Sequence, residues 1–235
     1  MPPQGSPHSL NTAPVKPLSL EPDHHMSEPI LEAFCQLAED EIKRTPTLTS
    51  EMNLLLQGLK VAQPEETGKH YTYPVVEKHF KKILGEGSGL LADIVSLTAD
   101  RLSWGVPYAE HVGEPDMDEL RENYAFAPII GSQKGNRSEP LPLPLYSSSQ
   151  IYAGVVLQGP HINYPSHVHR AAEIYWTVAG EAEWQKGDEW SHRESGSVLL
   201  HEPGVRHATV TNESPVLMLF AWVTNPESIP VIVRL

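Results

Sequence analysis

The stretch PSHVHRAAEIYWTVAG, from Pro165 to Gly180, decides the fold class of this 235-residue chain. Four of its residues, with metal-binding or phenolic side chains, have odd numbers: His167, His169, Glu173 and Tyr175. Because side chains of a β-strand alternate between two faces, residues of one parity share a face wherever the stretch is extended. Two imidazoles and a carboxylate then project into one space, and they form a ligand set for a divalent transition metal.

A fourth ligand has to come from another strand, and His207 in the segment PGVRHATV is the candidate. It follows a Pro-Gly turn and begins a β-rich run, which is typical of a residue at the rim of a barrel. The other histidines of this half, which show no such pattern, are interpreted as surface or packing residues: His161, His192 and His201. The sequence therefore predicts one metal site, whose donor types accept Fe, Zn, Mn or Ni.

Composition and charge exclude several classes of protein. With 40% hydrophobic and 20% charged residues the chain fits a globular protein in water, and no apolar run is long enough to span a bilayer. The net charge of −13 makes nucleic acid a poor partner, because most of the surface would repel a polyanion. The first residues contain no basic segment followed by an apolar one, so we expect a cytoplasmic protein.

The pattern along the chain predicts three regions. Residues 1–27 are rich in proline and serine and lack periodicity, which indicates a disordered tail. Residues 28–104 carry apolar side chains at helical spacing and are expected to form a helical N-terminal region. Residues 105–235 contain many short β-rich runs separated by turns, which is typical of a sandwich or a small barrel.

The spacing of the candidate ligands resembles a known motif pair. The pattern H-x-H-x3-E-x6-G, which begins at His167 and ends at Gly180, resembles the first cupin motif. The later PGxxH, which ends at His207, resembles the second. The resemblance implies a mostly β fold, with a C-terminal cupin (a jelly roll or small β-barrel) after the helical region. It also implies that His167, His169, Glu173 and His207 hold the ion.

A longer pattern, Y-x2-H-x-H-x3-E-x-Y from Tyr164 to Tyr175, resembles the cupin-type dimethylsulfoniopropionate (DMSP) lyases. The resemblance implies a carbon–sulfur lyase that splits this small zwitterion into dimethyl sulfide and acrylate by β-elimination. It also implies that Tyr164 and Trp222 line the substrate pocket. Trp104 and Tyr108 could cap that pocket, whereas Trp176, at an even position, should face away and pack against the helices.

Tyr175 is the candidate base for the elimination. Free tyrosine has a pKa of about 10, which is too high for a good base at neutral pH. A divalent cation nearby would favour the phenolate, and the position two residues after Glu173 places the phenol on the ligand face. The alternative is that Tyr175 only fills the barrel.

Other functions fit the same residues. One is a different metal-cupin enzyme, such as an iron-dependent dioxygenase or a lyase-like relative acting on another small acid. Another is a cupin that binds a small molecule without catalysis. The helical region could cover the barrel, gate the pocket or form a homodimer, and the sequence leaves these roles open.

Overall fold

The computed structural model describes residues 28–66, 68–132 and 142–234, so the predicted tail at residues 1–27 lies outside the described residues. These ranges contain five α-helices: α1 (Pro29–Arg44), α2 (Thr49–Lys60), α3 (Pro74–Glu86), α4 (Gly89–Thr98) and α5 (Pro115–Asn123). Within the same ranges, no helix is both long and apolar enough to cross a membrane.

The helices form where apolar residues recur on one face. In α1 the buried side chains include Ile30, Phe34 and Leu37, which are spaced three or four residues apart. Both α1 and α3 begin at a proline, whose fixed φ and missing N–H suit the first helical position. Helix α1 ends before Thr45, as the following Pro46 predicts.

Twelve strands occur in the described part of the chain. They are β1 (Gln63–Pro64), β2 (Tyr124–Gly131), β3 (Tyr146–Ser147), β4 (Tyr152–Gln158), β5 (Asn163–Val168), β6 (Glu173–Ala179), β7 (Glu181–Lys186), β8 (Glu189–Glu194), β9 (Val198–His201), β10 (His207–Val210), β11 (Val216–Trp222) and β12 (Val231–Ile232). They form two sheets, with strand orders β1-β3-β2-β4-β11-β6-β9 and β12-β5-β10-β7-β8. This confirms a mostly β cupin preceded by a helical region.

Two apolar cores lie on opposite faces of the seven-stranded sheet. The first packs helices α1 to α4 against the outer face of that sheet. The second fills the space between the two sheets and is rich in aromatic rings, including Tyr124, Tyr152, Trp184 and Phe220. The helices therefore cover the barrel from outside, and the space for a site lies between the sheets.

Strand β6 separates these two cores by the parity of its residues. Ile174 and Trp176 belong to the core on the helix side, whereas Tyr175 belongs to the core between the sheets. Trp176 is fully buried, and its Nε1 donates a hydrogen bond of 3.2 Å to Glu41 of α1. The prediction that Trp176 faces the helices is confirmed.

The stretch from Pro165 to Gly180 is not one extended segment, so the condition for the parity argument is met only within each of its two strands. Strand β5 ends at Val168, β6 begins at Glu173, and the two strands belong to different sheets. The chain has to leave the strand conformation to cross between facing sheets, which pack about 10 Å apart. The donor side chains converge because two sheets face each other.

Some elements carried no clear sequence signal. Strand β8 is largely polar and exposed, and it forms the edge of the five-stranded sheet. Helix α5 lies inside the region expected to be all β, although Pro115 and the acidic residues of its first turn are typical of a helix start. The domain boundary between residues 104 and 105 stays a prediction.

Two glycines in turns, Gly180 after β6 and Gly187 after β7, differ in the space around them. Gly180, between β6 and β7, has a φ of +82°, and a Cβ added there would lie 2.3 Å from the carbonyl oxygen of Pro215. Gly187, between β7 and β8, has a φ of +62° with open space around it. Alanine at Gly180 therefore combines left-handed backbone strain with a backbone collision, whereas alanine at Gly187 meets the strain alone.

We predict that Gly180→Ala lowers the free energy of unfolding by clearly more than Gly187→Ala, which should lose about 1–2 kcal/mol. Urea denaturation followed by far-UV circular dichroism measures both losses, and Gly187→Ala is the matched control. Equal losses in the two variants would show that the Pro215 loop gives way freely and would contradict the prediction.

Candidate metal centre and pocket

Each sheet contributes a cross-strand pair of side chains to one site. In the five-stranded sheet His207 of β10 lies opposite His167 of β5. In the seven-stranded sheet Glu173 of β6 lies opposite His201 of β9. Residues opposite each other on antiparallel strands share a face, with Cβ atoms about 5 Å apart. His169, just after the end of β5, completes a group of five donor side chains between the sheets.

The four residues predicted as ligands lie together and are buried. The ring centre of His207 lies 4.1 Å from that of His167 and 4.8 Å from that of His169. Glu173 Oε2 lies 2.8 Å from His169 Nε2 and 3.3 Å from His207 Nε2. The donor atoms form two triads within 4.8 Å that share His207: His167, His169 and His207, and Glu173, His201 and His207.

Backbone carbonyls orient three of the imidazoles. In His167, His169 and His207, Nδ1 lies 2.9 to 3.2 Å from a carbonyl oxygen two residues away. Because a carbonyl oxygen only accepts, Nδ1 carries the proton and donates it in each ring. In a neutral ring this leaves the lone pair on Nε2, which is the arrangement that carbonyl partners impose on histidine metal ligands.

Two observations show that the donor set fits a divalent metal. Nε2 of His207 is buried and forms no hydrogen bond, although Glu173 Oε2 lies 3.3 Å away. His169 faces an acceptor at each nitrogen, the carbonyl of Ala171 and the carboxylate of Glu173. A neutral imidazole has only one N–H, so the second contact needs a further positive charge, which a metal ion between Nε2 and the carboxylate would supply.

Glu173 is ionised despite its burial. Burial alone would raise the pKa of Glu173, but His169 and His207 beside it lower that pKa well below its usual range. Trp222 adds a hydrogen bond, since its Nε1 donates to Glu173 Oε1 at 2.6 Å. Burial also lowers the pKa of His167 well below its usual value, which keeps that imidazole neutral and able to ligate.

Tyr175 lies on the ligand side of β6, with its ring 4.7 Å from that of Trp184. Burial, followed by the negative charge of Glu173, raises the pKa of Tyr175 well above its ordinary value. The surrounding protein therefore keeps the phenol protonated, and a positive charge nearby would be needed to favour the phenolate. The role of Tyr175 as a base stays a prediction.

The predicted substrate-binding residues both line a pocket that opens onto the donors. Tyr164 stacks on His167 with ring centres 4.3 Å apart and an interplanar angle of 7°. Trp222 lies 4.7 Å from the ring of His169. Tyr108 also lines the pocket and shares a 2.8 Å hydrogen bond between its hydroxyl and that of Tyr164.

Trp104, the other residue expected as a possible cap, belongs to the core on the helix side. Its ring packs against Phe80 at 5.1 Å. The prediction for Trp104 is therefore wrong, because the chain between it and Tyr108 passes from one face of the sheet to the other. The short bridge of Gly105 to Phe126 of β2 lies at this crossing.

Sequence reasoning missed other aromatic residues of the pocket wall, namely Tyr124, Tyr152 and Phe220. Phe220 shares the parity of Trp222 on β11, and this parity could have identified it. The two tyrosines lie at the starts of β2 and β4, where no motif marks them. Among the described residues that line the pocket there is no lysine or arginine, so its wall offers aromatic faces instead of basic groups.

Of the two interpretations of His201, surface or packing, the structure contradicts the first. His201 is fully buried, stacks on His207 with ring centres 4.1 Å apart, and belongs to the second donor triad. It is the one polar residue at the end of the apolar run VLLH, which was its only sequence signal. His161 and His192 are exposed, as predicted.

The profile of the dimethylsulfoniopropionate lyase family matches residues 49–218, well over half of the chain. The chain belongs to this family. The matched segment includes all four predicted ligands and Tyr175, and it extends into the helical region. The family resemblance expected from the motif spacing is therefore confirmed.

Two curated members of the DMSP lyase family are similar to the chain. It is 30% identical over 148 residues to DddL of Cereibacter sphaeroides, a protein named as a candidate DMSP lyase, with 61% of the chain and 56% of the relative covered. It is 35% identical over 88 residues to the DMSP lyase DddQ of Ruegeria pomeroyi, covering 37% and 44%. The chain thus spans about half the length of the curated relatives it matches.

The crystal structure of DddQ from Ruegeria pomeroyi shares the fold of the chain. The two superpose with a TM-score of 0.63 at 21% identity, over 88% of the chain and 98% of DddQ. This agreement extends beyond the two sheets, so the helical covering of the barrel is part of the shared fold.

We predict that His207→Ala lowers the metal content of the purified protein far below one ion per chain, because His207 belongs to both donor triads. Elemental analysis after dialysis measures the content. The control is His192→Ala, which removes an exposed histidine. Stoichiometric metal in His207→Ala would contradict the predicted ligand set.

Proposed function

We propose that the chain is a metal-dependent carbon–sulfur lyase that cleaves DMSP into dimethyl sulfide and acrylate. The observation that carries the proposal is a pocket with aromatic walls and a cluster of metal donors at one end, in a chain of the DMSP lyase family. The substrate has matching ends, a dimethylsulfonium cation and a carboxylate.

The metal would be held by His167, His169, Glu173 and His207, whose imidazole and carboxylate donors suit Fe, Zn, Mn or Ni. When bound, such an ion supplies Lewis-acid stabilisation of negative charge beside the substrate carboxylate and favours the phenolate form of a nearby tyrosine. The metal donors are buried, so this charge is felt in a site of low dielectric constant.

The aromatic wall would hold the sulfonium end of the substrate. A cation over the face of a tryptophan or tyrosine ring gains about 0.5–2 kcal/mol, and the gain is larger when water is excluded. Tyr164 and Trp222 both lie in van der Waals range of the histidine donors, so a short substrate can reach the rings and the donor cluster at once. A wall of this kind also presents no strong nucleophile that the sulfonium could alkylate.

In the proposed elimination Tyr175, in the phenolate form, takes a proton from the carbon next to the carboxylate. The electrons of that C–H bond form the double bond of acrylate, and the C–S bond breaks with its electron pair leaving on dimethyl sulfide. The proton remains on the phenol oxygen and has to pass to solvent before the next turnover. Glu173 lies two residues before Tyr175 on the same face of β6. Its carboxylate is fixed in place by contacts with His169 and Trp222.

Other parts of the sequence interpretation stay predictions. These are the cytoplasmic location and the homodimer. The net charge of −13 continues to argue against nucleic acid as a partner.

Headspace gas chromatography tests the proposed activity. Purified, metal-loaded protein is expected to release dimethyl sulfide from DMSP under anaerobic conditions, together with an equal amount of acrylate. The metal-depleted protein is the control and should release far less. In a parallel aerobic assay, oxygen consumption without dimethyl sulfide would instead support an iron-dependent dioxygenase. Neither signal with either protein would contradict an enzymatic function on DMSP.

We predict that Tyr175→Phe keeps its bound metal but loses at least about 99% of turnover, since general base catalysis contributes about 10² to 10⁴. Turnover is measured as dimethyl sulfide release per bound metal ion. Tyr146→Phe is the matched control, because Tyr146 lies in the core on the helix side. Full turnover in Tyr175→Phe would exclude Tyr175 as the base.

A further inference from the structure

We propose that His201 is a fifth protein ligand of the metal centre and binds the ion together with Glu173 and His207. The proposal rests on the metal site of the proposed function and adds a donor that the cupin-like motif spacing does not contain. Three observations carry it: the position of His201 in the sheet, its unpaired nitrogens, and its spacing from the other donors.

The first observation is the strand register. His201 is the last residue of β9 and lies directly opposite Glu173 of β6, as His207 lies opposite His167 in the facing sheet. Each sheet thus presents one cross-strand pair to the space between the sheets. The two pairs would give an ion between the sheets two donors from each sheet, and His201 is one of these four. His169, in the loop after β5, is the additional donor.

The second observation is that both ring nitrogens of His201 are buried and without a hydrogen-bond partner. The residue itself has no exposed surface. A buried polar group left unpaired costs about 1–3 kcal/mol, and two on one ring make packing alone a poor explanation for a histidine here. A leucine or phenylalanine would fill the same space between β6 and β10 without this cost, whereas a metal ion gives one nitrogen a strong partner.

The third observation is the spacing. One ligand atom from each of Glu173, His201 and His207 lies within 4.8 Å of the other two. Two imidazoles bound at right angles to one ion, at about 2.1 Å, place their ring centres about 4.5 Å apart. The ring centres of His201 and His207 are 4.1 Å apart with an interplanar angle of 19°, so the spacing is short enough for a shared ion, and one of the two rings has to turn from the stacked position for both to point a nitrogen at it.

A fifth donor would change metal preference as well as affinity. Additional imidazole nitrogen favours the later first-row metals over Mn(II), which prefers oxygen ligands. Removing His201 should therefore weaken binding of Co(II) more than binding of Mn(II). A residue that only supported the ring of His207 would leave the number of nitrogen ligands unchanged, so His201→Phe, which keeps a ring beside His207, would then retain the wild-type Co(II) spectrum.

The test uses the full chain and two variants, His201→Phe and His201→Ala. Phenylalanine keeps an aromatic ring stacked on His207 and removes only the nitrogens. We expect both variants to bind Co(II) at least tenfold more weakly than the wild type, with an altered Co(II) visible spectrum and a smaller loss for Mn(II). His192→Phe, at an exposed histidine, is the control and should match the wild type. Wild-type Co(II) affinity and spectrum in His201→Phe would overturn the proposal.

A crystal structure of the Co(II)-loaded wild-type protein provides a second test, which does not require that any variant folds. A His201 nitrogen about 2.1 Å from the ion would support the proposal, and a distance beyond about 3 Å would overturn it. This result is separate from the test of activity. Failure to release dimethyl sulfide would leave the Co(II)–His201 bond visible, whereas dimethyl sulfide release with a distant His201 would overturn only the fifth ligand.

Discussion

A buried carboxylate surrounded by imidazoles is the interaction on which the rest of the structure depends. Removing an ionised carboxylate from water costs several kcal/mol unless charge and hydrogen bonds replace the lost solvent. The indole N–H of Trp222 donates one hydrogen bond to Glu173, and a metal ion held with His169 and His207, whose Nε2 atoms lie within 3.3 Å of the carboxylate, would supply the balancing charge. These partners come from the loop after β5, from β10 and from β11, so the charge is compensated only when both sheets are closed around it.

The strand that carries Glu173 is fixed from its other face as well. Glu41 of α1 is buried on the helix side, where it accepts hydrogen bonds from Arg44, Thr45 and Trp176. Strand β6 therefore has a compensated carboxylate against each of its faces. Neighbouring residues of a strand point to opposite faces, so a rotation of β6 would break the contacts on both faces at once. The packing of β6 against the helices therefore also fixes the orientation of the side chains that face the donor cluster.

The fold class, and the gathering of the four candidate ligands in one place, could be predicted from the sequence because both depend on local patterns. Parity and short spacing are properties of a single strand, and turn residues mark most strand ends. What parity could not predict was the change of sheet between Val168 and Glu173, since a crossing loop carries no periodic signal. The place of His201 beside the donors could not be predicted for a related reason. It lies opposite Glu173 because β9 pairs with β6, and such pairing joins residues far apart in the chain.

The pocket wall, with its aromatic faces and no lysine or arginine among the described residues, has a consequence for inhibitors. The attraction between a ring face and a cation depends on the charge and size of the cation, and not on which element carries the charge. A quaternary ammonium acid of the same length as DMSP would thus be accepted by the wall as readily as the sulfonium. Its amine leaves far less easily than dimethyl sulfide. If the chain cleaves DMSP as proposed, the two compounds would therefore be distinguished at bond cleavage, and the ammonium acid would act as a competitive inhibitor.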